Sequence, residues 1–210
     1  MIRLEKKSKK NKETKEEVEE SPADLAELLN NLTSTPEQRS IMFVGEVDEE
    51  KAADMISALL VLAQTKPEGQ ERADDIKIYV STYGGSADEM FSIYDVMNYV
   101  KQFCDIETIG LGKVMSAGTL ILASGTKGKR KLAKHCRVMM HSVNGGTMGE
   151  LHHLENEMEQ MKGLQDNYIQ CLSVETEMTK RQIQSLINKK INVYLSADEA
   201  ITKGLADGIL

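Results

Sequence analysis

Short apolar segments alternate with amphipathic helical segments from Ile41 to the C-terminus, and this alternation constrains the fold more than any other feature. Strands are predicted at residues 41–45, 76–81 and 106–112, and helices follow them at residues 48–63, 86–100 and 116–123. A strand, a helix and a second strand of these lengths form a βαβ unit with a right-handed crossover. The pattern therefore predicts an α/β fold with a mostly parallel sheet.

The last third of the chain continues the pattern less regularly. A fourth strand is predicted within residues 131–142, followed by a long polar helix at 149–178 and a shorter helix at 179–187. Ser196 and Glu199 have the spacing of a capping box, which predicts the start of a final helix.

The N-terminal segment differs in composition from the rest of the chain. Residues 1–20 are rich in Lys and Glu and almost devoid of apolar side chains, so we expect a disordered tail. Ser21 and Pro22 are typical of a helix start, and a short helix is predicted before a linker at residues 33–36. The predicted organisation is a charged tail with a short helix at 1–38 and a folded domain at 39–210. The tail has two interpretations, a solvated segment or an arm that docks a partner.

Composition excludes several classes of protein. Charged residues make up 28% of the chain and the net charge is −7, which argues against unselective binding to nucleic acid or anionic lipid. No apolar run approaches the roughly 18–20 residues of a membrane span. The three cysteines are odd in number and lack CxxC spacing, so we expect reduced thiols and a cytoplasmic location.

Three positions at predicted strand ends have side chains or backbone suited to chemistry. Gly84 and Gly85 follow the second strand and allow backbone amides to face a ligand; the alternative is an ordinary loop. Ser116, in GKVMSAG, lies at the next strand-to-helix junction, as a nucleophile or as a plain N-cap. His141 ends the strand RVMMH and is a general base or an unremarkable polar residue. No spacing of His or Cys indicates a metal site, and no cofactor motif occurs.

Four segments taken together resemble one family. They are IKIYVSTYGGSADEMFSIYDVM, MSAGTLILASGTKGKR, HCRVMMHSVNGG and YLSADEAITKGLAD, and in this order and spacing they resemble the ClpP-like serine peptidases of the ClpP/crotonase superfamily. The resemblance implies repeated ββα/βαβ units, a mostly parallel sheet and a protruding long handle helix. It further implies a serine endopeptidase acting on protein or peptide substrates. Such subunits assemble as homo-oligomers of paired heptameric rings around a chamber, which an AAA+ unfoldase can serve.

The same resemblance assigns roles to individual residues. Ser116 matches the nucleophile and His141 the general base, while the backbone amides of Gly85 and Ala117 match the oxyanion hole. The family's third triad residue is an aspartate eight positions before the serine that is Ser196 here, and that count leads to Asn188. An asparagine can accept the Nδ1 hydrogen of histidine but brings no charge, so weakened activity is expected. Asn192 is the other candidate amide.

Several alternatives stay open from the sequence. The chain could be a catalytically impaired, ring-forming structural or regulatory subunit, or a virus-type head maturation protease of the same fold. A Ser-Lys dyad would use Lys113 instead of His141, and a crotonase-type enzyme would bind acyl-CoA at the same amides. The basic segment 127–131 is interpreted as a solvated loop rather than a nucleic-acid site.

Overall fold

A computed structural model describes residues 39–189 and 191–210 of the chain. The charged tail and short helix predicted within residues 1–38 lie outside the described residues, and the domain boundary after residue 38 stays a prediction. The strands are β1 Ser40–Val47, β2 Ile76–Gly85, β3 Ile106–Met115, β4 Arg130–Leu132, β5 Arg137–Met140, β6 Val193–Leu195 and β7 Gly208–Ile209. The helices are α1 Glu49–Gln64, α2 Ala87–Val100, α3 Ala117–Ala123, α4 Leu151–Glu175, α5 Lys180–Ile187 and α6 Ala197–Thr202.

The strands form one mostly parallel sheet, which confirms the predicted α/β fold. The main path runs β1-β2-β3-β4-β7, and every neighbouring pair along it is parallel. Strand β3 changes partner along its length: Thr108–Gly110 pairs with β4, and Lys113–Met115 pairs with β5. Strand β5 also pairs with β6, and this pair is antiparallel.

The core forms where the apolar faces of the helices meet the sheet. Helix α1 buries Ala52, Met55, Leu59 and Ala63, and helix α2 buries Met90, Ile93, Met97 and Val100. These spacings of three and four residues are the apolar stripe from which the helices were predicted. Helix α3 is buried at every position, which explains why it is uniformly apolar or small.

The element boundaries differ from the predictions in ways that matter for the site. Strands β2 and β3 continue to Gly85 and Met115, so the paired glycines lie in a strand, not in a loop. The single strand predicted within 131–142 is two strands, because a turn closed by the Cys136 amide and the Ala133 carbonyl separates β4 from β5. The predicted capping box of Ser196 and Glu199 is present at the start of α6.

An ion pair between the buried Arg130 and the partly exposed Asp207 fastens the C-terminal segment to β4. Arg130 is 2% exposed, and its guanidinium binds both carboxylate oxygens of Asp207 at 2.9 and 2.5 Å. The same side chain donates to the carbonyl oxygens of Ala123 and Glu175. Although partial burial opposes ionisation, the hydrogen bonds and charge of Arg130 hold the pKa of Asp207 below its ordinary value. One arginine thus joins the ends of α3 and α4 to the chain terminus.

We expect Asp207→Asn to lower the free energy of unfolding by about 3 kcal/mol, because it leaves the Arg130 charge buried without a counter-ion. Asp207 has a lowered folded-state pKa, so its stabilisation is complete above its unfolded pKa of about 3.9 and is lost as the pH falls through the folded value. Urea denaturation at pH 7 and under increasingly acidic conditions should show the difference between the two proteins shrinking in acid.

Asp105→Asn is the matched control, since Asp105 pairs with Lys129 at 2.9 Å but both side chains are more than one-third exposed. Its loss should cost less than about 1 kcal/mol. Equal losses for the two variants would contradict the assigned importance of the Arg130–Asp207 pair.

Candidate active site

Ser116 occupies a sharp turn between β3 and α3. It is the only non-glycine residue with a positive φ among the described residues, with φ 54° and ψ −121°. Such a conformation is strained for a residue with a Cβ and is typical of a nucleophile held at a strand-to-helix turn. Ser116 stands at the N-cap position, but its side chain makes no capping hydrogen bond. The hydroxyl is therefore not engaged as a cap.

The turn is held by its backbone and by close packing. The Ser116 amide donates to the Met139 carbonyl of β5 at 2.8 Å, and the Ser116 carbonyl accepts from the Thr119 amide at 2.9 Å. Gly84 faces the serine so closely that a Cβ there would lie 2.6 Å from the Ser116 Cβ. A Cβ on Gly118 would lie 2.4 Å from the Thr82 side chain, so α3 also needs a glycine at its start.

His141 reaches the same edge of the sheet through β5. This strand runs parallel to β3 with Met139 opposite Met115, so Ser116 and His141 both follow the carboxyl ends of neighbouring strands. The two side chains line one cleft with a cavity volume of about 150 Å³. The walls of this cleft include Met90 and Tyr168. The structure thus brings the predicted nucleophile and base into one pocket.

The orientation of the imidazole selects its tautomer. His141 Nδ1 lies 2.5 Å from the carbonyl oxygen of Ser142. A carbonyl oxygen can only accept a hydrogen bond, so Nδ1 carries the proton and Nε2 keeps a free lone pair. A neutral histidine in this tautomer can accept a proton at Nε2.

The two predicted oxyanion amides border the same cleft. Ala117 is the first residue of α3, where a backbone amide has no acceptor inside the helix. Gly85 lines the same cleft, and a Cβ there would lie 2.2 Å from the Val47 carbonyl oxygen. The tight packing of β2 against β1 therefore requires glycine at this position.

Of the residues proposed for a third role or an alternative base, the two asparagines do not line the cleft, whereas Lys113 lines an adjoining cavity together with Ser116 and His141. Asn188 is exposed at the end of α5, and within the described part of the chain no hydrogen bond joins it to His141. Asn192 is exposed as well. Lys113 places its Nζ 4.6 Å from the centre of the Tyr83 ring, a cation–π contact beside the cleft.

Two site residues were not anticipated from the sequence, Thr119 and Tyr168. Both are buried, and their hydroxyl oxygens lie 2.5 Å apart. Tyr168 repeats with Leu172 and Glu175 at helical spacing, which indicates a buried face of α4. The helical spacing predicts that this face is buried, but it does not predict that the face contacts the turn at Ser116.

The described residues include neither a metal-binding cluster nor a helix that could span a membrane. Residues 39–189 and 191–210 contain no group of three or more His, Cys, Asp or Glu side chains that could hold a metal ion. In the same ranges, no helix combines the length and the apolar character needed to cross a membrane.

Comparison with known proteins agrees with the resemblance noted in the sequence. A family model described as Clp protease matches residues 24–210. The chain is 31% identical over 174 residues to the ATP-dependent Clp protease proteolytic subunit 2 of Thermobifida fusca (strain YX). That alignment covers 82% of this chain and 81% of the relative. The predicted ClpP-like resemblance is confirmed.

We expect Asn188→Ala to change the labelling of Ser116 by a fluorophosphonate less than about twofold, because the Ser142 carbonyl already holds His141 Nδ1. Labelling is followed by intact-mass spectrometry as a function of time, with Asn192→Ala measured in parallel. A tenfold or larger decrease for either variant would assign that asparagine the third position of the triad.

Proposed function

This chain belongs to the Clp protease family, and we propose that it is a serine endopeptidase with Ser116 as nucleophile and His141 as general base. The observation that carries the proposal is the strained Ser116 turn in one cleft with a histidine whose Nδ1 is bound to a backbone carbonyl, which leaves Nε2 as the nitrogen available to act as a base. A strained turn exposes the hydroxyl, and the tautomer fits the base to receive its proton.

The proposed reaction follows the ordinary course of acyl transfer. Ser116 Oγ attacks the carbonyl carbon of the scissile peptide while its proton passes to His141 Nε2. The developing oxyanion accepts hydrogen bonds from the amides of Gly85 and Ala117. His141 then gives its proton to the leaving amine, and water releases the acyl group by the same steps in reverse. The Met90 and Tyr168 side chains offer an apolar wall for a substrate side chain.

The third position of the triad has no carboxylate in this proposal. The family pattern assigns this position to Asn188, whereas in the arrangement described the Ser142 carbonyl orients the ring. Both groups are neutral and neither stabilises an imidazolium as a carboxylate does. Loss of that carboxylate costs up to roughly 10⁴-fold in rate in a serine protease, so a slow enzyme is expected.

The function is tested by labelling and by hydrolysis. The purified chain should form a fluorophosphonate adduct on Ser116 and cleave an unfolded protein and a fluorogenic peptide. Ser116→Ala and His141→Ala should each reduce cleavage by more than about 10³-fold. Lys113→Ala is the matched control and should stay active. If the enzyme used a Ser-Lys dyad instead, Lys113→Ala would be inactive and His141→Ala would keep its activity.

Absence of both adduct and cleavage in the assembled protein would contradict the enzyme and favour the alternative of a ring-forming structural or regulatory subunit. The neutral third position is the observation that keeps this alternative in view. Cleavage confined to one partner protein and absent with unfolded substrates would favour the virus-type maturation protease.

We also propose that the chain assembles as a homo-oligomer of stacked heptameric rings in the cytoplasm, with an AAA+ unfoldase as a further partner. The support lies in the N-terminal part of α4, where Leu151 and Met158 are 67% and 57% exposed. Met148, just before this helix, is 93% exposed. Apolar side chains in such a row are typical of a surface that is covered in an assembly.

We expect native mass spectrometry to show a particle containing a multiple of seven chains. A Leu151→Glu, Met158→Glu double variant should halve the particle mass, because charges in the apolar row oppose ring stacking. Glu159→Gln, on the same exposed stretch of α4, is the control and should leave the mass unchanged. A monomeric wild-type protein would contradict the proposed assembly. The unfoldase partner is tested separately, by comparing fluorogenic-peptide cleavage with and without an unfoldase and ATP.

A further inference from the structure

The carbonyl oxygen of Ser116 is within reach of three hydrogen-bond donors. The Thr119 amide lies at 2.9 Å and the Thr119 hydroxyl at 2.6 Å. The Tyr168 hydroxyl approaches the same oxygen at 3.3 Å from α4. Two of these donors are side-chain hydroxyls to which the proposed reaction gives no role.

The two hydroxyls form an ordered chain. A carbonyl oxygen cannot donate, so the one hydrogen of the Thr119 hydroxyl points to Ser116. The Thr119 oxygen is then free to accept from the Tyr168 hydroxyl, 2.5 Å away. The hydrogen bonds therefore run from Tyr168 to Thr119 and from Thr119 to the Ser116 carbonyl. The Tyr168 hydroxyl has a single hydrogen, so its 3.3 Å approach to that carbonyl is a secondary contact.

This series of hydrogen bonds is shielded from water. Thr119 is fully buried and Tyr168 is 4% exposed. Burial raises the pKa of Tyr168 to about 12, so its hydroxyl keeps its proton and remains a donor throughout the neutral range. Hydrogen bonds in such surroundings are stronger than in water, and successive bonds polarise one another.

The Ser116 carbonyl, at which these hydrogen bonds end, belongs to the same peptide group as the Ala117 amide. A peptide group is planar, so donors that fix the Ser116 carbonyl also fix the direction of the Ala117 N–H. Withdrawing electron density at the carbonyl oxygen makes that N–H a stronger donor. We propose that Tyr168 and Thr119 are positioning residues that aim and polarise the Ala117 amide of the oxyanion hole. This inference rests on the proposed function.

Helix α4 provides a firm support for the hydrogen-bond relay from Tyr168 through Thr119 to the Ser116 carbonyl. Ile169 and Leu172, adjacent to Tyr168 on the helix, are buried in the core, whereas the N-terminal part of α4 is exposed. The relay therefore starts from the buried part of the helix. Precise orientation of a catalytic donor needs a support of this kind.

The test compares variants that change one hydroxyl at a time. Tyr168→Phe keeps the ring and should lower kcat about fivefold with KM nearly unchanged, less than the 10²- to 10³-fold loss for a deleted oxyanion donor. Thr119→Val should lower kcat further, and Thr119→Ser, which keeps the hydroxyl, should restore it. Tyr168→Phe should have a smaller effect in the Thr119→Val background, because the relay passes through Thr119.

A second readout reports the oxyanion hole directly. A peptide boronic acid forms a tetrahedral adduct on Ser116 and places an oxygen where the oxyanion develops. Its affinity should fall by the same factor as kcat in each variant, while a non-covalent product peptide should bind unchanged. Tyr94→Phe is the control: Tyr94 donates to Glu175 at 3.1 Å outside the cleft, and its loss should leave both measurements unchanged.

Unchanged kcat and boronic acid affinity in Tyr168→Phe would overturn the inference, as would an effect on KM alone. Should Tyr168→Phe fail to fold, the Thr119→Val and Thr119→Ser pair decides the question by the same criteria. Failure of the proposed function would be distinct, because the wild-type protein itself would then neither label nor cleave. In that event ¹⁵N-alanine spectra still decide: the Ala117 amide resonance should shift in Tyr168→Phe and not in Tyr94→Phe.

Discussion

A backbone hydrogen bond from the Ser116 amide to the Met139 carbonyl joins the two halves of the site. It continues the ladder between β3 and β5 by one residue past the end of β3, so the serine turn is tied to the strand that leads to His141. This is possible because β3 leaves β4 at Gly110 and takes β5 as its partner from Lys113. The change of partner therefore places Ser116 and His141, the proposed nucleophile and base, at one edge of the sheet.

The strain at Ser116 is balanced by the groups around it. A non-glycine residue in this region of φ and ψ costs about 1–3 kcal/mol. The cost is offset by hydrogen bonds at both ends of the residue, from its amide to β5 and from Thr119 to its carbonyl. Gly84 leaves room for this turn because it has no side chain, and a Cβ there would collide with the Ser116 side chain. These contacts hold the turn in its strained conformation.

The sequence predicted those parts of the fold and the site that depend on local pattern. Periodicity located the helices α1 and α2, and the strand ends located Ser116 and His141. It did not separate β4 from β5 or anticipate β6, because two- to four-residue strands have too few positions for a periodic signal. Counting along the chain selected Asn188, but contact with the imidazole is decided by tertiary packing. The group at His141 Nδ1 is a backbone carbonyl, which any residue type would provide.

Because the partner of His141 is uncharged, the charges that develop in the proposed transition state must be stabilised mainly at the oxyanion and less at the imidazolium. Two opposite charges about 4 Å apart attract by roughly 4 kcal/mol at an effective dielectric constant of 20, and a neutral carbonyl supplies only part of this to an imidazolium. In the proposed reaction, stabilisation must then come mainly from the oxyanion amides. The Ala117 amide shares its peptide group with a carbonyl that accepts from Thr119, and Thr119 accepts from Tyr168. If the proposed roles hold, a site without a carboxylate behind His141 has a hydrogen-bond network behind the Ala117 amide, where the missing stabilisation is needed.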